Sequence, residues 1–515
     1  MILGTPFREH ASDNPLRRMT LDDLFRRALE RSPDAIALAD PLDRADFTDG
    51  APKRLTYAQA DRIISAIATR LRDLGLTTDA LVAFQLPNTV ESILTVLGVL
   101  RAGLIAVPLP LLWRQLEAVH ALSRIGARAL ITCGRIGPVD HGALAMHIAA
   151  ETFAIRFLCS FGEPHLDGVM NLDDVFDASD VSPVAIDRPG NPADHVALVT
   201  FDVSPEGLVP VARSHAELVA AGFAVALEAR VSAKTTMLGA LATSSFAGLA
   251  TTIVPWLVGG GSLALHQPFD AESFAAQYNR SCELAVLPGP FVQRLNEMGA
   301  GGGPATILAV WRSPERTAGS APWRAANSSL VDVLVFGETG LVAHRRGADG
   351  VPAVIAPGPV MAPHGPNEGL LLVDVKRSKA GTLALAGGMV PHQAFPPGVE
   401  RSGAPRLKID EDGFIDTGYP CRADKTSGLL TIDGPPGGLV SVGGYRFVLR
   451  ELQEFVAGAA EGSTLAALPD GLSGHRLAGV AGDRDAVRRV LATQGANPLI
   501  VAAFRERRGD RASAA

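Results

Sequence analysis

His195-Val196-Ala197-Leu198-Val199-Thr200-Phe201, then Asp202-Val203-Ser204-Pro205-Glu206-Gly207-Leu208-Val209-Pro210, then Ser214-His215-Ala216-Glu217 is the stretch whose reading decides the fold of this 515-residue chain. The first block is an apolar run of the length of a buried strand, and the third opens like a helix. Strand, loop and helix start together make a natural cradle for phosphate, because unpaired amides at a helix start attract anions. The spacing therefore predicts a loop over 202–210, with one glycine, an acid at Glu206 and no lysine.

The flanking sequence alternates helix and strand signals. Thr56 and Gln59 have capping-box spacing. Ala60, Ile63, Ile64, Ile67, Leu71 and Leu74 then repeat at helical period up to Gly75. Strands are expected at 80–86, 105–107 and 129–131, with helices between them around Ile93–Leu100 and Leu116–Leu122. The alternation returns as a helix over 246–258, a strand over 262–265, a helix over 270–279, and a strand over 284–287 with Pro288-Gly289-Pro290 opening the next helix. Such βα units imply mostly parallel sheets covered by helices on both faces, in two similar halves with ligands where strand ends meet. From about Gly340 short β runs and turns replace the helices. Gly434-Pro435-Pro436-Gly437-Gly438 is the densest breaker cluster. The fold class expected is α/β. A large domain over 1–433 contains a β-rich portion over about 340–433, a hinge lies at 434–438, and a small α+β domain spans 439–515, where Pro498–Phe504 reads as a last strand.

The length calls for more than one core. A net charge of −7 gives no footprint for nucleic acid, and the arginine-rich run 505–511 reads as a solvated end. Cys133, Cys159, Cys282 and Cys421 form no CxxC pair, which fits a reducing compartment, and a cytoplasmic protein is expected. Met1–Arg18 is polar and broken by prolines, so no signal peptide is expected. The apolar stretch 246–265 is interrupted by Pro255 and Gly259-Gly260-Gly261, which favours a buried helix and strand over a membrane span. His120, His147, His266 and His364 show no metal-ligand spacing.

Several segments taken in order resemble the adenylate-forming (AMP-binding) superfamily, the acyl-CoA synthetases and their relatives. They are Leu55-Thr56-Tyr57-Ala58, Leu86-Pro87-Asn88, Arg101–Leu109, Ala247-Gly248-Leu249, Gly259-Gly260-Gly261 and Leu287-Pro288-Gly289-Pro290. Phe336-Gly337-Glu338-Thr339-Gly340, Asp412-Gly413-Phe414 with Thr417-Gly418, and Gly443-Gly444-Tyr445-Arg446 with Arg450-Glu451 complete the series. The resemblance implies activation of a small carboxylic acid with ATP and Mg2+, then transfer to the thiol of CoA or a carrier protein, with no nucleic-acid partner and no membrane span.

By the same resemblance, Thr339 orients the carboxylate, and Glu338, shifted from the usual acid position now held by Gly340, binds magnesium. Ser204 and Arg213 serve the phosphates, Phe336 and Gly337 the adenine side, and Tyr419 with Arg422 the ribose. Ser245, Phe246 and Gly248 line the acyl pocket, and Gly443 and Gly444 the pantetheine. The chain departs from the family pattern at charged positions. The phosphate loop lacks its lysine, Tyr419 replaces the ribose aspartate, the 434–438 hinge carries neither usual charge, and the C-terminal Pro-x-x-Gly-Lys is missing. Losing one positioned electrostatic group costs roughly 3–4 kcal/mol of transition-state stabilisation. A non-catalytic descendant binding acyl-CoA, nucleotide or a partner protein therefore stands beside the enzyme reading. A partner supplying the lysine in trans is a third. Plainer roles also stay open: Ser245 as a helix cap, His215 packed under the loop, Arg213 solvated, Trp311–Pro314 as structure, and Gly443-Gly444 as a tight hairpin turn.

Overall fold

The computed structural model describes residues 1–3, 18–163, 167–179, 184–267, 271–278, 282–297, 303–325, 327–352, 354–363 and 369–505. His364 and the arginine run beyond Arg505 lie outside them. Two largely parallel sheets form the body of the large domain. One has seven strands and includes Leu81–Phe84, Ile105–Pro108, Ala129–Cys133 and Phe157–Phe161 in parallel register. Its side chains alternate: Val82, Phe84, Ala106 and Ile131 enter the main core, while Leu81, Ala83, Ile105, Val107 and Leu130 enter a second core on the opposite face. A sheet buried on both faces needs this doubly apolar composition. The other sheet has eight strands, with Thr236–Gly239, Ser262–Leu265, Leu284–Pro288, Thr306–Trp311 and Ser329–Phe336 parallel.

Helices from both halves contribute to the main core. Thr56 caps Tyr57–Asp73, accepting from Gln59 N at 3.2 Å while Gln59 Oε1 accepts from Thr56 N at 2.9 Å. Val90–Arg101 is buried along its whole length. It approaches its neighbour so closely that a Cβ on Gly98 would lie 2.5 Å from Ile67 Cγ2. The 246–265 stretch forms Phe246–Gly248, a wider turn over Leu249–Ile253, Val254–Gly259 and the strand Ser262–Leu265. Among the described residues no helix is long and apolar enough to cross a membrane.

Two expectations are corrected. Residues 202–210 are not a loop: Val196–Ser204 and Gly207–Ser214 pair antiparallel, joined across Pro205-Glu206, and form the edge of the seven-stranded sheet. Apolar Val209 and Val211 behind the turn are buried, so pairing wins over the punctuation that Pro205 and Gly207 supply. Pro498–Ala502 is a helix, because Asn497 Oδ1 accepts from Leu499 N at 3.0 Å and Pro498 occupies the first helical position.

Gly358–Ile432 supplies an antiparallel five-stranded sheet. From Leu439 a four-stranded antiparallel sheet with the helices Leu449–Ala459 and Arg484–Thr493 encloses its own core around Val456, Leu465, Leu491 and Phe504.

Candidate active site

Strand Val196–Ser204 carries Asp202 to the turn that follows Ser329–Phe336. Gly337 in that turn has φ +61°, and a Cβ there would collide with the Asp202 carboxylate and lie 2.5 Å from Arg446 Nη1. Glycine alone suits both constraints. Asp202 Oδ2 accepts from Glu338 N at 2.8 Å, and Oδ1 accepts from Arg446 Nη1 at 2.8 Å. Arg446 Nη2 donates to the Tyr419 hydroxyl, and the Tyr419 ring meets Phe336 edge-on with centroids 5.5 Å apart. The expected residues Phe336, Gly337, Glu338, Thr339 and Tyr419 are thus brought together. Asp202 and Arg446 join them, two residues to which the sequence assigned no role.

Arg446 follows a two-glycine turn between Leu439–Val442 and Tyr445–Val448, in which Gly443 and Gly444 take φ +59° and +87°. The tight-hairpin reading of that pair therefore holds. Burial works against the charge of Arg446, but Tyr419 and Asp202 outweigh it and leave the guanidinium more basic than usual. Burial pushes the Tyr419 phenol up. The C-terminal unit is held in place by further contacts: Leu112 N donates to the Tyr445 hydroxyl at 3.4 Å, and Arg316 donates to the carbonyls of Gly471 and Leu472.

Under the same turn lies Arg213, whose Nη2 donates to Glu338 O and, at 2.9 Å, to Thr339 O. Its guanidinium covers the Phe246 ring at 3.9 Å. Burial lowers its pKa to about 10. Glu338 is also buried; its Oε2 accepts from Phe246 N at 2.7 Å, and burial, followed by the charge of Asp202, raises its pKa.

Other expected members stand elsewhere. In the hairpin register Arg213 pairs with Leu198 and Ser204 with Gly207. Those pairs are six residues, about 20 Å, apart at the Cα level, so Ser204 and Arg213 do not form one phosphate grip. Ser204 Oγ closes the hairpin turn, donating to Gly207 O and accepting from Glu206 N, each at 3.2 Å. The Glu206 charge is taken up by Lys408 at 2.6 Å. Arg422 is three positions from Tyr419 on one strand, where alternation sends neighbours to opposite faces. It is exposed and pairs with Asp433 at 3.2 Å, so it is not at the Tyr419 site. Ser245 Oγ accepts from Gly248 N at 3.4 Å as a cap, and Gly248 has no room for a Cβ against Ala242 O. Trp311 is buried and donates from Nε1 to Asp332 Oδ1 at 2.9 Å, a structural role. His215 is packed in the core with Nδ1 accepting from Leu21 N at 3.2 Å, and burial lowers its pKa to about 3.

The arrangement fits the implied groups poorly in two respects. An antiparallel ladder replaces the loop of converging amides that a triphosphate needs. Among the described residues no three His, Cys, Asp or Glu side chains are placed to hold a metal. A nucleotide-borne magnesium needs only one or two carboxylates, and Glu338 already accepts a backbone amide.

The family model for AMP-binding enzymes matches residues 25–339, more than half of the chain, and ends on the threonine of this turn. The chain belongs to the AMP-binding enzyme family. The fold agrees with solved members of similar architecture. The apo structure of Mycobacterium smegmatis MbtA superposes with a TM-score of 0.67 at 19% identity, covering 96% of this chain and 93% of that one. ATP-bound MatB from Rhodopseudomonas palustris gives 0.61 at 19% identity, covering 92% of each chain. Identities this low establish the fold alone. The salicyl-AMP ligase / salicyl-S-ArCP synthetase of Mycobacterium tuberculosis is 30% identical over 145 residues, which is 28% of this chain and 25% of that protein. The match thus spans a quarter of that relative's length.

The signals that could have marked Asp202 and Arg446 are an acid opening the predicted loop and an arginine beyond a two-glycine turn. No spacing links residues this far apart in sequence.

Proposed function

We propose that this AMP-binding family member activates a carboxylic acid with ATP as an acyl-adenylate and passes the acyl group to a thiol of CoA or a carrier protein. The family match that closes on Phe336-Gly337-Glu338-Thr339, at the meeting of the hairpin, Tyr419 and Arg446, is the observation that supports this reading. In such chemistry the acid's oxygen attacks the α-phosphorus and pyrophosphate leaves; a thiolate then takes the acyl carbon and AMP leaves. Thr339 orients the acid, and Phe336, Gly337 and Tyr419 face the nucleoside. The unit from residue 439 turns about 434–438, so that Gly443 and Gly444 approach the pantetheine of the acceptor. The name of the mycobacterial relative, a salicyl-AMP ligase / salicyl-S-ArCP synthetase, supports a carrier thiol as acceptor.

The test is carboxylate-dependent ATP–pyrophosphate exchange across a panel of acids. Exchange above the acid-free rate is expected, and no exchange with any acid sinks the proposal. A second reading, binding without adenylation, rests on Asp202 and Tyr419 being already engaged by the Arg446 guanidinium. Calorimetric titration with ATP–Mg2+ separates the two, since undetectable affinity at millimolar nucleotide leaves only the second.

A further inference from the structure

Arg213 is a buried cation with an incomplete set of partners. It is 2% exposed, and Nη2 with its two carbonyl acceptors is the part that is satisfied. Nε and Nη1 meet no hydrogen-bond acceptor among the described residues. A guanidinium carries five donor hydrogens, and leaving buried ones unpaired forfeits their hydration without return. An apolar side chain would fill this position at lower cost, and Val209 and Val211 do so on the same strand. An orphaned buried donor calls for an explanation, and beside a family motif a bound anion supplies one.

The surrounding charges indicate which ligand. Glu217 is engaged by His392 at 2.7 Å, and Asp202 by Arg446 at 2.8 Å. Glu338 gives one oxygen to Phe246 N, and burial holds it toward its neutral form. Each of the three carboxyl groups thus has a partner of its own, while two donor nitrogens of Arg213 have none. A singly charged oxygen anion can accept from those nitrogens, whereas a phosphate dianion would bring more negative charge among three carboxyl groups.

Building on the adenylation reading, we propose that Arg213 anchors a carboxylate of the acid substrate beneath the Gly337–Thr339 turn, over the Phe246 ring. The turn above it is tied to Arg446 through Asp202, so the anchor is reached when the C-terminal unit withdraws. The carboxylate is either the one to be activated or a second one on a diacid.

The experiment is calorimetric titration of the full chain with acetate, benzoate, malonate and succinate at constant ionic strength, with chloride as control. Arg213→Lys, which keeps the charge but loses the planar fork, and Arg213→Met are compared with the wild type. Binding of at least one acid above the chloride control is expected, weakened about tenfold or more in both variants. The melting temperature of Arg213→Met should stay level or rise. Weakening of benzoate and acetate identifies the reacting carboxylate; weakening confined to malonate and succinate identifies the second. Equal affinities in all three proteins overturn the proposal, as does wild type that binds no acid beyond the control. A sharp fall in melting temperature for Arg213→Met, with full affinity in Arg213→Lys, would make the arginine a packing element and also overturn it. Arg213-dependent acid binding without pyrophosphate exchange keeps the anchor and removes adenylation. Exchange with Arg213-independent binding does the reverse.

Discussion

Gly337 carries two constraints at one atom, a left-handed backbone and the carboxylate of Asp202 where a side chain would begin. Gly337→Ala is expected to cost about 1–3 kcal/mol and to push Arg446 out of its pairing, read as a lowered melting temperature. A second residue-scale effect is pH dependence at His392. Nδ1 lies 2.7 Å from Glu217 Oε1 and Nε2 lies 2.6 Å from Leu3 O. Burial alone would lower its pKa, but the Glu217 hydrogen bond and charge prevail and raise it above 6.5. The native state then holds a proton that the unfolded chain releases. This stabilisation is complete below pH 6.5 and fades as pH rises through the folded value. Thermal melts of His392→Gln should lack that alkaline-side loss; an unchanged slope would remove the assignment. The turn at Phe336–Thr339 was readable because adjacent residues carry its chemistry. Its Asp202 and Arg446 contacts were not, since they depend on distant segments meeting.

Elements whose signals are local came out as read. The Thr56–Gln59 box closes the helix it predicted, and the βα alternation became two parallel sheets. Reading failed where competing local signals needed a tertiary referee. Pro205-Glu206-Gly207 marks a loop as well as a hairpin tip, and Pro498–Phe504 is apolar enough for a strand or a helix. Strand pairing also holds a buried polar network. Asp332, fully buried on Ser329–Phe336, accepts from Arg346 Nε at 2.8 Å and Nη2 at 3.0 Å, and from Trp311 Nε1 at 2.9 Å. Asp332→Asn leaves Arg346 without its counter-charge. It should destabilise the domain by about 3–5 kcal/mol, measured as a lower urea midpoint; a shift under about 1 kcal/mol would mean the pair is solvated.

For the molecule as a whole, the unit from Leu439 is held against the large domain by contacts from Arg446, Tyr445 and Arg316. Arg446 to Asp202 and Tyr419 is an ion-paired part of that contact, and the Gly/Pro cluster at 434–438 is the proposed pivot. Arg446→Ala and Asp202→Asn should both speed proteolytic cutting within 434–438 severalfold, followed by gel and mass. Equal rates would show that Tyr445, Arg316 and the packing around them suffice. Apolar periodicity, capping residues and turn glycines act over a few positions, so the amino-acid order alone was enough for the α/β class, the parallel sheets and the family motifs. The pairing of Asp202 with Arg446, the burial of Arg213 with donors to spare, and the turning of Arg422 away from Tyr419 came from folding. Each depends on which distant backbones approach and which face of a strand they leave outward, and local sequence does not encode that geometry.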